Sequence, residues 1–150
     1  MKLVLDASVL AKLFLKEELS SEVIDLMTLG YSKNVTFITS ELAHNEVGNV
    51  FWKHLRNKKS DGSKLMNQLF LLDIEYIPLD NELAVEVLKF AHDNDISYYD
   101  AVYIVLSNRN QLDLITEDKK LLKMFDNTIN VLDGIEMIRE EEGISLLDNE

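Results

Sequence analysis

The chain contains no cysteine. No disulfide can form, which fits a reducing, cytoplasmic setting, and thiolate metal sites are excluded. Proline occurs once and glycine five times among 150 residues. No Pro/Gly/Ser-rich linker, internal repeat or low-complexity block divides the sequence, so one domain is expected over residues 1–150. Long apolar runs are also missing. Stretches such as LFLL at 69–72 are far too short to cross a bilayer, so no membrane association is expected. The start, MKLVLDASVLAKLF, opens like a secretion signal, but Asp6 and Lys12 break the run and no small-residue cleavage site follows. Positive charge is scarce: 27 acids face 15 Lys and Arg, for a formal charge of -12. That balance disfavours a phosphate-backbone partner. It is uneven, however. Residues from about 133 to 150 hold seven acids and only Arg139, an acidic C-terminal helix or tail, whereas KHLRNKK at 53–59 is basic.

What is present alternates between two periodicities. KLVLD (2–6), VTFIT (35–39), IEYIPL (74–79), LDLIT (112–116) and TINVL (128–132) read as short strands, apolar or β-branched. Between them lie helical patterns: SVLAKLFLK (8–16), a segment starting at Ser20 or Ser21, a long helix over 41–58 capped by Ser40, and one near 63–72. A helix capped by Asp80, another capped by Ser97 and KKLLKMF (119–125) follow. Asp61-Gly62 marks a turn. The alternation predicts a three-layer α/β/α sandwich around a mostly parallel sheet of about five strands. Phe14, Leu15, Val23, Ile24 and Met27, near the N-terminal helices, are expected to supply apolar surface to a symmetric dimer.

In such sheets, ligands bind beyond the carboxyl ends of the strands. Asp6 and Asp118 fall there. Each also reads as a helix cap, and Asp100, three residues after Ser97, reads as half of a capping box. Glu46 is harder to explain as a cap. It sits inside a helix with Leu42, Ala43 and Val50 on its face, and no Lys or Arg lies on that face within a turn. A carboxylate on an apolar stripe costs several kcal/mol, roughly the penalty for burying an ion, unless a cation meets it. Four carboxylates converging on one crevice would repel one another, and a divalent cation removes that repulsion. Oxygen-only ligands select Mg2+ or Mn2+ over Zn2+. The three histidines form no site: His44 points to a different helix face from Glu46, and His54 and His92 lie near helix ends, so all three are expected on the surface.

LDASVL (5–10), ELAHNEV (41–47), YYDAVYIVLS (98–107) and ITEDKKL (115–121) together resemble the motifs of PIN-domain ribonucleases, and most of all the VapC-like toxins of toxin–antitoxin pairs. The resemblance runs along nearly the whole chain in the right order. By position it implies that Asp6, Glu46, Asp100 and Asp118 form an acidic cluster binding Mg2+ or Mn2+ and acting in catalysis, with Ser8 and Thr116 as supporting hydroxyls. It further implies metal-dependent endoribonuclease activity on RNA phosphodiesters, a cognate antitoxin and a homodimer. Glu117, a further acid beside Asp118, and the acidity of the chain depart from the pattern. Lys12, Lys16, Arg109, Lys119, Lys120 and the basic stretch are phosphate-contact candidates, although cations closing a helix also complement its dipole. Trp52 and Tyr98 could stack on bases, but a core or interface role is the first expectation for each.

Two other classes remain open. One is a catalytically silent PIN-fold module binding RNA or protein, its acids kept as caps. The other is phosphate transfer on a different α/β fold. A dehalogenase-like phosphatase needs Asp-x-Asp after the first strand, and Ser8 stands in the second position. A receiver domain needs paired acids at that strand end and an Asp on a middle strand, for which only Asp80 is available.

Overall fold

The computed structural model describes residues 1–58 and 61–145, with side chains to 141. Lys59 of the basic stretch and the end of the acidic tail lie outside the described residues. The elements run β1 (Lys2–Leu5), α1 (Ala7–Lys12), α2 (Ser20–Ser32), β2 (Thr36–Ser40), α3 (Ala43–Leu55), α4 (Ser63–Phe70), β3 (Glu75–Ile77), α5 (Asn81–Asn94), α6 (Tyr98–Asn110), β4 (Leu114–Ile115), α7 (Lys119–Met124), β5 (Thr128–Ile129) and α8 (Val131–Ser145). All strand pairs are parallel, in the order β3-β2-β1-β4-β5. The chain lays down three strands in one direction and then crosses to the far side of β1. The switch point of the sheet therefore lies between β1 and β4, where an α/β sheet opens a crevice at its carboxyl edge.

Apolar runs fill the middle of this α/β/α sandwich. Leu3, Val4 and Leu5 of β1, Phe37 and Ile38 of β2 and Leu114 and Ile115 of β4 are buried among Val9, Leu10, Leu26, Val47 and Ile138. Helix α6 is buried continuously from Ala101 to Ser107, since it lies against the sheet while Val102 and Val105 also meet Leu83 and Val87 of α5. Gly30 allows α2 to seat on Phe37: a Cβ there would lie 2.3 Å from Phe37 Cζ.

Several boundaries differ from the sequence pattern. The helix expected over 8–16 ends at Lys12, and residues 13–19 form turns closed by Ser20, whose Oγ donates to the Leu15 carbonyl at 2.6 Å. The helix expected from 41 begins at Ala43, after Ser40 Oγ has accepted the Leu42 N–H at 3.2 Å. The last strand stops at Ile129, and the acidic helix starts at Val131 rather than near 133. Two side chains redirect it: Glu117 Oε1 accepts the Val131 N–H at 2.7 Å and Asn130 Oδ1 accepts that of Asp133 at 2.8 Å. Of the residues expected to form a dimer surface, Leu15, Val23 and Met27 are in the core, Phe14 packs partly buried against it, and Ile24 stands exposed. Asp61 makes the expected turn, accepting both the N–H and the hydroxyl of Ser63.

Candidate functional site

Asp6 immediately follows β1, its carboxylate almost wholly buried. It caps α1, with Oδ1 accepting the Ser8 N–H at 3.0 Å. Its other oxygen accepts the hydroxyl of the fully buried Thr116, just past β4, at 2.7 Å. The Thr116 Oγ1 accepts in turn from the Asp118 N–H at 3.1 Å. One hydroxyl thus ties the ends of the two strands flanking the switch point. Asp118 caps α7, its Oδ1 accepting from the N–H groups of Lys120 and Leu121. Asp6 and Asp118 thus cap their helices and stand at the carboxyl edge of the sheet.

Asp100 differs. Ser97 Oγ caps α6 by accepting the Asp100 N–H at 3.1 Å, and the Asp100 carboxylate accepts no hydrogen bond among the described residues. The reciprocal half of the capping box is not made. Glu46, in the first turn of α3, is half-buried, and its Oε1 accepts from the Tyr103 hydroxyl at 2.6 Å. Tyr103 lies three residues after Asp100 on α6, so one turn of that helix brings both groups to the crevice.

These pieces share one cleft of about 600 Å3, lined by Asp6, Ser8, Glu46, Asp100 and Asp118, and also by Glu117, Lys12, Asn45, Asn49 and Tyr99. Burial pushes the Asp6 carboxyl above the ordinary carboxylate range. The Ser8 N–H and the Thr116 hydroxyl pull it back, and the charge of Asp100 pushes it up again. Burial raises Glu46 as well; the Tyr103 hydroxyl lowers it, and the charges of Asp6 and Asp100 raise it. Burial and then the Glu46 charge push the Tyr103 phenol far up, so it remains a donor at every working pH. Asp6, Glu46 and Asp100 are therefore electrostatically coupled.

As they stand, no three His, Asp or Glu side chains among the described residues are drawn together closely enough to hold a metal ion. The donor chemistry still fits a hard divalent cation. All donors are oxygens, they repel one another, and Glu46 Oε2, Asp118 Oδ2 and both Asp100 oxygens accept no hydrogen bond among the described residues.

The sequence reading missed Tyr103, Asn45, Asn49 and Tyr99. Tyr103 had a signal, a phenol inside the run AVYIVL, one turn from Asp100. Asn45 and Asn49 flank Glu46 at helical spacing. Tyr99, not Tyr98, reaches the cleft; Tyr98 packs partly buried against the core between α5 and α6. His44 is partly buried, not a free surface side chain. Its ring stacks between Phe70 and Tyr76, at centroid distances of 4.1 and 4.0 Å. Arg109 is committed to Glu86 and Glu82, and Lys120 Nζ to the Asp95 carbonyl, away from the cleft. Trp52 is exposed, with Arg56 over its ring.

The chain is similar to ribonuclease VapC3 of Pyrobaculum aerophilum, 31% identical over 132 residues, covering 83% of this chain and 95% of the relative. Among solved structures, one from Pyrobaculum aerophilum superposes with a TM-score of 0.69 at 23% identity, covering 93% of this chain and 98% of that one. A VapBC2 structure from Rickettsia felis, bound to a DNA fragment from its promoter, superposes with a TM-score of 0.62 at 16% identity, over 87% and 97% of the two chains. At those identities the two structures establish the fold. The PIN domain model matches residues 3–126, a span that takes in all four acids and both hydroxyls, and the chain belongs to the PIN domain family as a VapC-like member.

Proposed function

We propose that this chain is a metal-dependent endoribonuclease, a single PIN-like domain acting as the toxin of a toxin–antitoxin pair. One observation carries the reading: carboxylates from four separate segments, Asp6, Glu46, Asp100 and Asp118, line one cleft at the switch point of the sheet. Asp6, Glu46, Asp100 and Asp118 would hold Mg2+ or Mn2+ there. Such an ion supplies a nucleophilic water near neutral pH and offsets charge on the scissile phosphate. The protein's own groups prepare the site. Thr116 and Ser8 fix the Asp6 carboxylate through both oxygens, and Tyr103 fixes Glu46 through one. Burial of Asp6, and partial burial of Glu46, makes those two carboxylates stronger attractors for a cation than they would be in water.

The curated relative's name, ribonuclease, supports RNA as substrate. A solved toxin–antitoxin complex from Klebsiella pneumoniae that shares the fold supports an antitoxin partner. The absence of cysteine supports the cytoplasm. A homodimer is supported by Val85 and Leu88, exposed on α5 at 62% each; a monomer mass by light scattering at micromolar concentration would contradict it. A second reading, a silent PIN-fold module, is favoured by the caps that Asp6 and Asp118 make, since capping alone would retain those acids.

The deciding assay uses end-labelled linear RNA and a circular RNA of the same sequence, with Mg2+, Mn2+ or chelator. Cleavage of the circle in either metal and none in chelator is expected. Attack on the linear RNA alone would make the enzyme an exonuclease. No cleavage in either metal would leave the silent module.

A further inference from the structure

Five carboxylates line the cleft, and Lys12 is the one cation beside them among the described lining residues. Its ammonium pairs with none of the five. It lies 3.3 Å from Glu17 Oε1 and donates to the Glu18 carbonyl at 3.0 Å. Both partners belong to the link between α1 and α2, and that link is braced. Ser20 Oγ donates to the Leu15 carbonyl and accepts the Glu17 N–H at 3.1 Å. Leu19, directly after the Glu18 carbonyl, has φ 65°, a left-handed conformation that few bulky residues adopt and that is held only where the surroundings impose it. The Lys12 side chain is only 16% exposed. A lysine is usually a mobile surface cation; here the fold fixes one at the rim of an anionic cleft.

A cation present to quench carboxylate repulsion would pair with one of the cleft acids. This one is held back from them. An ammonium has three donors; two are used on Glu17 and Glu18, and the third has no partner among the described residues. The charge balance shows what it is for. Five carboxylates carry a formal charge of -5, so even two divalent ions leave the cleft negative toward a phosphodiester. Among the described lining residues Lys12 alone can offer a phosphate oxygen a cationic N–H, its charge shared with Glu17.

We propose that Lys12 is a phosphate-binding residue, its ammonium, preset by the 17–20 link, taking a non-bridging oxygen of an RNA phosphate next to the carboxylate cluster. The assignment rests on the nuclease reading and adds the group that recognises substrate.

The test compares wild type, Lys12→Gln and Lys12→Arg on a fluorescent single-stranded RNA 12-mer, across a range of KCl concentrations, by cleavage in Mn2+ and by anisotropy in Ca2+. Lys12→Gln should raise KM about tenfold or more, as loss of one charge-assisted contact does. It should also reduce the slope of log affinity against log salt by about 0.7, one single-strand phosphate contact. Lys12→Arg should keep the slope, and calorimetry should give a Mn2+ affinity no lower than wild type in either variant. Wild-type KM and salt slope in Lys12→Gln would overturn the assignment, and so would a loss of Mn2+ affinity, which would make Lys12 a support of the carboxylates. If wild type cleaves nothing, the nuclease reading falls; equal anisotropy slopes in wild type and Lys12→Gln would then also remove Lys12 as a phosphate contact.

Discussion

Thr116→Val replaces one hydroxyl by a methyl group of nearly the same shape, at a side chain with no exposure. Two interactions vanish. The first is the 2.7 Å hydrogen bond to the buried Asp6 carboxylate, a charged acceptor, for which about 1.5–3 kcal/mol is usual. The second is the 3.1 Å bond from the Asp118 N–H, a neutral bond worth about 0.5–1.5 kcal/mol. The expected loss is about 2–4 kcal/mol, or roughly 5–15 °C in Tm for a chain of this size. The Thr116 hydroxyl also lowers the Asp6 pKa, so its removal raises that pKa further and weakens Mn2+ binding, more at pH 5.5 than at pH 7.5. Guanidinium melts and calorimetry measure both effects. Thr116→Ser is the control: it keeps the hydroxyl and loses one buried methyl, about 1 kcal/mol. A Thr116→Val protein within about 0.5 kcal/mol of wild type, the ordinary range for inconsequential surface changes, would refute the reasoning. So would a Thr116→Ser protein damaged as much as Thr116→Val.

Tyr103→Phe should cost about 1–3 kcal/mol, the usual penalty for a partly buried acceptor left without its donor; calorimetry should also find weaker Mn2+ binding as Glu46 moves further up. The pH profile of Asp6→Asn follows from the raised Asp6 pKa. A carboxyl whose folded pKa exceeds its unfolded value binds more protons when folded, so its contribution is fully present below the unfolded pKa and is lost as pH rises through the folded one. In chelator, wild type should therefore gain stability relative to Asp6→Asn as pH falls from 7.5 toward 5, and a difference in Tm that stays flat with pH would count against a desolvated Asp6.

Much of the architecture was legible because burial on both faces leaves a parallel strand as a plain apolar run, and β1, β2 and β4 run into Asp6, Ser40 and Thr116. KLVL-Asp6 and LDLI-Thr116 located the carboxyl edge without knowledge of the strand order. The order itself was not legible, since every strand looks alike in sequence; only β4 crossing beside β1 brings Thr116 within reach of Asp6. Ends of elements failed where side chains overrode periodicity. SVLAKLFLK keeps an apolar rhythm to Lys16, but Ser20 and the left-handed Leu19 stop the helix at Lys12, with no glycine or proline to announce it. TINVL reads as strand to Leu132, but Glu117, distant in sequence, caps a helix at Val131. His44 looked superficial because its stacking partners, Phe70 and Tyr76, come from α4 and β3. Tyr103 was hidden by the company of apolar residues: only the meeting of α6 with α3 reveals a phenol aimed at Glu46.

The central claim is that these acids form a metal-binding pocket and are not merely helix caps, and Asp100 tests it most cleanly because Ser97, not Asp100, caps α6. The measurement is the thermal melt of wild type and Asp100→Asn, in EDTA and in Mn2+, beside RNA cleavage by the same two proteins. Asp100 raises the pKa of both Asp6 and Glu46, so neutralising it relieves repulsion in the metal-free protein. The account predicts an Asp100→Asn Tm in EDTA equal to or above wild type, a smaller rise on adding Mn2+, and no RNA cleavage. A lower Tm in EDTA together with the full Mn2+ rise and wild-type cleavage would contradict it.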